Sequence, residues 1–430
     1  MQLIIHRGTH EIGGSCVELQ AGKTRILIDF GMPLVDEKRE PFDSKTLLGK
    51  SIAQLKSSNT LPDIKGLYRD EPEGIDAILI SHSHRDHYGL LEYANPDIPL
   101  WMSRGVRALI EVSNIFIHNK PAKINAEIAK PWKPFRIGDF TVTPYLVDHS
   151  GFDALAFLVE ADGKRVYYSG DFRGHGRKSI LFKKALRAHP ENIDYLLLEG
   201  SMLGRAGQPY KDENEIERRI KEILEETKNI VFLSFSSQNI DRLVSAYRAC
   251  IRTGRTFVID LYTAFILSKL RKVSRGIPQH DSDNIRIKFW KAHAESLAAA
   301  GYRDLLYVYN RRKIEMLEID KKKDKMLMIA RDNSVFPRML KDLTGVKGAK
   351  LVYSMYEKYL AEEFKTKCNT KGIEIEHVHT GGHAIIEDLK AFAYALNPRV
   401  LIPIHTFYAD KYNELFSNVK VLKDGEMLML

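Results

Sequence analysis

Ile80-Ser81-His82-Ser83-His84-Arg85-Asp86-His87 follows directly on the apolar residues Ile78 and Leu79 and places three imidazoles and a carboxylate within six positions. The apolar run reads as a strand that hands its last residue to a loop. Such a loop can turn His82, His84, Asp86 and His87 inward. Nitrogen and oxygen donors of this kind suit zinc, and there are enough of them for more than one ion. A solvated histidine-rich turn is the plain alternative, and both the spacing and the upstream strand weigh against it.

Further along the chain, four more residues fit the same logic. His149 ends the run Tyr145-Leu146-Val147-Asp148, and Asp171 follows Val166-Tyr167-Tyr168-Ser169-Gly170. His383 lies in His379-Thr380-Gly381-Gly382-His383, and His405 follows Leu401-Ile402-Pro403-Ile404. Each sits where a strand passes into a loop, where a rigid scaffold commonly mounts chemical groups. Any one of them alone would more often be structural; together they read as a ligand set.

The surrounding chain of 430 residues is 44% hydrophobic and 28% charged, ordinary for a globular protein with room for two domains. Cys16, Cys250 and Cys368 are far apart and form no C-x-x-C pair, so neither a disulfide framework nor a cysteine zinc site is indicated, and a cytoplasmic location is expected. The apolar run at the N-terminus is too short for a signal peptide, and no stretch reaches the length of a membrane span. A formal charge of +9 and a pI near 9.1 favour an anionic partner such as nucleic acid. Basic residues concentrate at 269–275 and 311–325, which read equally as solvated helix faces or as a surface that tracks phosphates.

Up to about residue 200 the pattern is of short strands (2–6, 15–20, 25–30, 77–80, 140–145, 154–160, 165–169 and 195–199), with a helix over 103–116 and a charged connection over 31–74 holding one helix near 45–55. From about residue 205 apolar β runs alternate with helices. The first helix, over 213–227, carries Ile216, Ile220, Ile223 and Leu224 on one stripe. This alternation predicts a mostly parallel, three-layer α/β domain containing a long basic helical region.

The motif His82-x-His84-x-Asp86-His87, then His149, then Ser169-Gly170-Asp171-Phe172-Arg173, resembles the successive signatures of the metallo-β-lactamase fold. Glu199, His383 and His405, with the inserted α/β segment, resemble the β-CASP branch, as in RNase J and the nuclease subunits of the cleavage and polyadenylation specificity factor. The resemblance covers nearly the whole chain. It implies an αββα sandwich in two parts, residues 1–204 and 369–430, split by a β-CASP domain at 205–368. It also implies two Zn²⁺ ions, one held by His82, His84 and His149 and the other by Asp86, His87 and His405, with Asp171 bridging; manganese suits the same donors. A hydroxide between the ions would attack an RNA phosphodiester, with Asp86 counted among the catalytic groups. His383 would serve the departing oxygen and Glu199 would orient it.

His379 matches an RNase J-like His-x-x-Gly-His pattern, and Arg173, Arg311 and Arg312 are expected in an RNA channel. The run Phe232-Leu233-Ser234-Phe235-Ser236-Ser237-Gln238-Asn239 ends a strand and opens a helix, so Ser236 and Ser237 read either as helix caps or as an anion site. In RNase J-like exonucleases the corresponding loop helps to hold a 5′ monophosphate. The chain departs from the family in carrying Glu199-Gly200-Ser201 where Glu-Ser-Thr is common, which puts local loop contacts in doubt. Relatives also carry a C-terminal dimerising domain, so a homodimer stays open here. The expected function is a zinc-dependent ribonuclease with RNA as partner. The alternatives are a DNA nuclease of the same fold, a non-catalytic RNA-binding subunit, and a small-molecule hydrolase, for which the inserted domain would be superfluous.

Overall fold

The computed structural model describes residues 1–36, 39–72, 74–117, 124–205 and 207–430. Two sheets face one another to form a sandwich. The first has the strand order Met427–Met429, Gln2–Arg7, Cys16–Ala21, Thr24–Ile28, Ala77–Leu79, Leu100–Met102, Ala126–Ile128. The second has the order Val400–Ile404, Tyr195–Glu199, Lys164–Tyr168, Leu155–Ala161, Phe140–Leu146, Phe135–Ile137. Their inner faces share one apolar core that includes Ile5, Val17, Ile28, Leu79, Phe157, Val166, Leu197 and Ile402. Helices cover the outer faces: Arg104–Phe116 packs on the first sheet and Ile386–Leu396 on the second. This is the expected αββα arrangement.

Each sheet changes character across its width. Antiparallel hairpins give way to parallel pairs, at Thr24–Ile28 beside Ala77–Leu79 in the first sheet and at Lys164–Tyr168 beside Tyr195–Glu199 in the second. The strands ending at Leu79, Tyr168, Glu199 and Ile404 lie in these parallel halves; Glu199 is the last residue of its own, and the loops after the other three carry His82, Asp171 and His405.

The third sheet is parallel throughout, in the order Ile285–Lys288, Thr256–Asp260, Met326–Ile329, Val231–Ser234, Lys350–Tyr353, Glu374–His377. Helices cover both of its faces, as buried, Leu- and Ile-rich parallel strands require. Helix Glu213–Glu226 forms because Asp212 caps it, accepting from the N–H groups of Asn214 and Glu215, and because its apolar stripe is buried. Replacing Ile220 in that stripe with Ala would cost about 2–5 kcal/mol.

The sequence reading needs revision at several places. Glu374–His377 pairs with Lys350–Tyr353 in the third sheet, so the chain turns back to the sandwich after His377 and not at 369. The expected helix near 45–55 is two short pieces, Ser44–Leu47 and Ile52–Ser57, separated at Gly49, whose φ of 73° no right-handed helix allows. The long basic region is three separate helices, Lys291–Ala299, Arg303–Asn310 and Met316–Lys321. The three-residue strand Leu100–Met102 is too short to carry a readable period.

The core of the inserted layer runs into the sandwich. Leu109, Val112 and Ile115 of helix Arg104–Phe116 are buried in the same cluster as Phe265 and Ile266, and Phe116 meets the rings of Tyr262 and Phe265 at 5.1 and 5.9 Å.

Candidate metal centre

Asp171 is the centre of the site. Its Oδ2 lies 3.3 Å from His87 Nε2, 3.6 Å from His82 Nε2, 3.7 Å from His405 Nε2, 4.0 Å from His149 Nε2 and 3.6 Å from His383 Nδ1. The donors fall into overlapping groups whose ligand atoms lie within 4.8 Å of one another: His82, His84 and His149; Asp86, His87, Asp171 and His405; and His149, Asp171 and His383. In the first group His84 Nδ1 is 3.1 Å from both His82 Nε2 and His149 Nε2. In the second, Asp86 Oδ2 is 3.6 Å from His405 Nε2 and 3.8 Å from His87 Nε2.

The local backbone explains the convergence. Strand Ala77–Leu79 delivers His82, and the four-residue helix Arg85–Tyr88 then turns Asp86 and His87 inward. Gly31 clamps that helix. Its neighbours Phe30 and Met32 donate N–H bonds to the carbonyls of His87 and Arg85 at 2.8 and 2.9 Å, and a Cβ on Gly31 would lie 1.7 Å from the Asp86 carbonyl oxygen. His405 is held in the left-handed region at φ 56°, with its N–H bonded to Gly8 O at 2.6 Å. Such a backbone costs of order 1–3 kcal/mol in a residue with a side chain and is tolerated where the surroundings enforce it.

Outer partners fix the rings. Asp29 accepts from His87 Nδ1 (2.7 Å), Ser81 Oγ (2.7 Å), Tyr168 Oη (2.8 Å) and the Ser81 N–H (2.7 Å). His149 Nδ1 donates to Gly382 O at 2.5 Å, and His405 Nδ1 lies 2.9 Å from Ser15 Oγ. All three rings turn Nε2 inward; for His87 and His149 this is the arrangement by which a carboxylate or carbonyl orients a metal-binding histidine, whereas His405 Nδ1 also accepts from the Gly13 N–H at 3.3 Å. Asp29 escaped the sequence reading, although its position after strand Thr24–Ile28 matches that of the other strand-end groups.

The fit to a cation rests on what the site leaves unsatisfied. His87 Nε2, both Asp171 carboxylate oxygens, His383 Nδ1 and His405 Nε2 are buried with no hydrogen-bond partner among the described residues. Each such group costs about 1–3 kcal/mol when nothing compensates it, and a divalent metal would satisfy them together. The electrostatics agree. Burial pushes the imidazoles of His82 and His149 well down and that of His84 to about 4, which keeps them neutral as ligands must be. For His87 burial is outweighed by Asp171, Asp29 and Asp86, and the ring is pushed well up. The negative field that holds a proton on His87 is the field that would hold a cation in its place.

Beside this cluster, Glu199 accepts from Ala384 N–H (3.0 Å) and Ser201 N–H (2.9 Å), and its Oε2 lies 3.6 Å from His383 Nδ1. The His383 side chain is 21% exposed, against 1% for Asp171 and 2% for His405. The Glu199-Gly200-Ser201 variant keeps the loop intact, with Ser201 supplying an N–H to the carboxylate.

The residues expected to bind RNA fare differently. Arg173 is fully buried: it donates to Asp241 at 2.6 Å and to Gly381 O at 2.8 Å, with Asp148 at 3.4 Å. It ties the sandwich to the inserted layer and has no free donor face for a phosphate. Ser237 is also buried, its hydroxyl 2.8 Å from Thr263 Oγ1 and receiving Arg331 Nη2 at 2.6 Å. Ser236 is exposed, and the helix cap is Asn239, which accepts from Arg242 N–H at 3.1 Å. Asn239 also forms a β-bridge with Gly151, beside His149 and His82. His379 is half-buried, and burial together with Arg242 pushes it down to about 3, so it offers no positive charge to a phosphate.

Comparison with known proteins places this geometry. A "Beta-lactamase superfamily domain" matches residues 24–210. The chain is 23% identical to Ribonuclease J of Mycoplasma genitalium over 93% of its own length and 66% of that protein's, and 22% identical to Ribonuclease J of Helicobacter pylori over 93% and 55%. It is 24% identical to Transcription termination factor FttA of Methanothermobacter thermautotrophicus over 65% and 44%. A crystal structure of a protein of unknown function from Enterococcus faecalis V583 superposes with a TM-score of 0.79 at 21% identity, over 100% of this chain and 99% of the other. The two-sheet sandwich with its strand-end histidines and aspartates is that of a metallo-β-lactamase-fold protein. Its similarity to Ribonuclease J runs over nearly the whole chain, and the superfamily's domain is matched over residues 24–210. It spans 66% and 55% of the length of the two Ribonuclease J relatives.

Proposed function

We propose that the chain is a zinc-dependent ribonuclease of the cytoplasm that hydrolyses RNA phosphodiester bonds. The observation that carries this reading is the convergence of seven donors, His82, His84, Asp86, His87, His149, Asp171 and His405, in two overlapping groups, with the inward atoms of His87, Asp171 and His405 lacking other partners among the described residues. We assign His82, His84 and His149 to one Zn²⁺, Asp86, His87 and His405 to a second, and Asp171 to both, with Mn²⁺ as the alternative ion. Two divalent cations there would supply a water of lowered pKa and neutralise charge building on the phosphoryl oxygens.

The chain's own groups do the rest. Asp29, Ser15 and the Gly382 carbonyl hold the ligand rings in orientation. Asp171 stays an anion, because burial, which opposes its charge, is outweighed by His405, His87 and His383. We assign His383, which is partly exposed, to giving a proton to the departing oxygen. Glu199 is held rigid by two backbone N–H groups and faces the ring of His383.

The names of the relatives support RNA as substrate, as does the net charge of +9. The test is incubation of the zinc-loaded and the manganese-loaded chain with 5′-labelled RNA and with DNA of the same sequence, alongside metal analysis. RNA cleavage that stops on chelation and returns with metal supports the reading. Preferential DNA cleavage assigns the alternative substrate, and tight RNA binding without cleavage in the metal-loaded protein assigns a non-catalytic role.

A further inference from the structure

An alternation of cations and rings leads away from the centre into the inserted layer. Phe407 and Tyr408 follow the ligand His405 by two and three residues, and Arg39 lies over the Phe407 ring at 5.2 Å. Tyr408 packs against Gly204, where a Cβ would meet its ring at 2.4 Å. The next residue, Arg205, spreads its guanidinium 5.0 Å from the centre of the Tyr356 ring. Tyr356 meets Tyr359 edge-on, with ring centroids 5.5 Å apart at 85°. Both tyrosines lie just beyond strand Lys350–Tyr353, at the edge of the third sheet from which its parallel strands point outward.

Tyr359 is the outermost rung and is 64% exposed. A single exposed ring needs no explanation. A series of rings interleaved with guanidinium groups, leading away from His405, does. It is the pattern by which single-stranded nucleic acid is held, with bases stacked on aromatic faces and cations near the phosphates.

We propose that Tyr359, backed by Tyr356 and Arg205, is a stacking platform for the bases of single-stranded RNA entering the centre. This rests on the ribonuclease reading for its ligand. Stacking on a ring face recognises any base, so the platform confers strand selectivity without sequence selectivity.

The experiment uses the full chain and a fluorescent, phosphorothioate-linked single-stranded RNA that resists cleavage, with affinity read by anisotropy at fixed salt. Tyr359→Ala is expected to weaken binding by about 5- to 150-fold, the equivalent of about 1–3 kcal/mol, and Tyr359→Phe to bind within about twofold of the parent. A strand of the same length lacking its bases is expected to bind parent and Tyr359→Ala alike. Unchanged affinity in Tyr359→Ala, an equal loss on the base-free strand, or no RNA binding by the parent would each overturn the platform. Because binding is read without turnover, a chain that shows the base-dependent loss but never cuts RNA keeps the platform and loses the nuclease. One that cuts RNA while Tyr359→Ala binds normally does the reverse.

Discussion

Asp29 Oδ2 accepts the Nδ1 proton of His87 at 2.7 Å and so decides which nitrogen of that ring faces Asp171. The same oxygen accepts from Ser81 and Tyr168, so one carboxylate from the first sheet fixes groups from three segments of the sandwich. Asp29→Ala would free the ring to rotate and leave the buried Tyr168 and Ser81 hydroxyls without an acceptor. Metal affinity is expected to fall about 10- to 100-fold, as for other outer partners of metal ligands, measured by competition with a coloured chelator.

Asp171 touches every group of donors, so Asp171→Ala is expected to lower metal content in both assigned sites, and substitutions at His84 or His405 to affect mainly one. Metal analysis of folded protein checks this. An Asp171→Ala chain that retains its full complement would show that the carboxylate is not shared.

His383→Ala is expected to leave metal content near that of the parent while RNA cleavage falls by about 10²- to 10⁴-fold, the range for loss of a general acid. Its ring nitrogen lies 3.6 Å from both Asp171 and Glu199, so metal content has to be measured alongside turnover. Loss of metal together with activity would make His383 a ligand instead.

Glu213 supports the site from a distance. It accepts from Arg242 at 2.9 Å, and Arg242 reaches the carbonyl of Thr380 in the loop that leads to His383. Burial opposes the Glu213 charge, but Arg242 and Arg173 outweigh it and hold the carboxyl at about 2. Because the folded value lies below the unfolded one of about 4.3, this pair stabilises the fold fully above about pH 5, and the contribution is lost as pH falls toward 2. Glu213→Gln is expected to cost about 3–5 kcal/mol near neutrality and to show a shallower loss of stability through that acid range, read from urea unfolding at several pH values.

The exposed Ser236 lies in the loop tied through Asn239 to Gly151 beside the centre. If this loop holds a 5′ phosphate, RNA with a 5′ monophosphate should be degraded faster than its triphosphate form, and Ser236→Ala should narrow the difference. Equal rates with internal cuts appearing first would favour an endonuclease. Ser237 is the weaker test, since its hydroxyl is engaged by Arg331 and Thr263 inside the fold.

Much of this protein was decided by short-range sequence. The candidate ligands His82 and His405 stand after strand ends because apolar runs such as Ile78-Leu79-Ile80 and Leu401-Ile402-Pro403-Ile404 announce strands locally, and a loop can begin only where they stop. Apolar runs alternating with helices, the mark of parallel strands buried between helical layers, likewise announced the inserted layer. Tertiary structure alone decided the partners. Nothing near Asp29 in the chain says that His87 and Tyr168 will meet it, and nothing near Arg173 says that Asp241 will bury it. An arginine before a glycine reads equally as a phosphate contact or an internal tie, because its charge is local information whereas the carboxylates that neutralise it arrive from distant segments. The turn back after His377 was hidden for the same reason: a four-residue strand shows its β character but not which sheet offers the open edge.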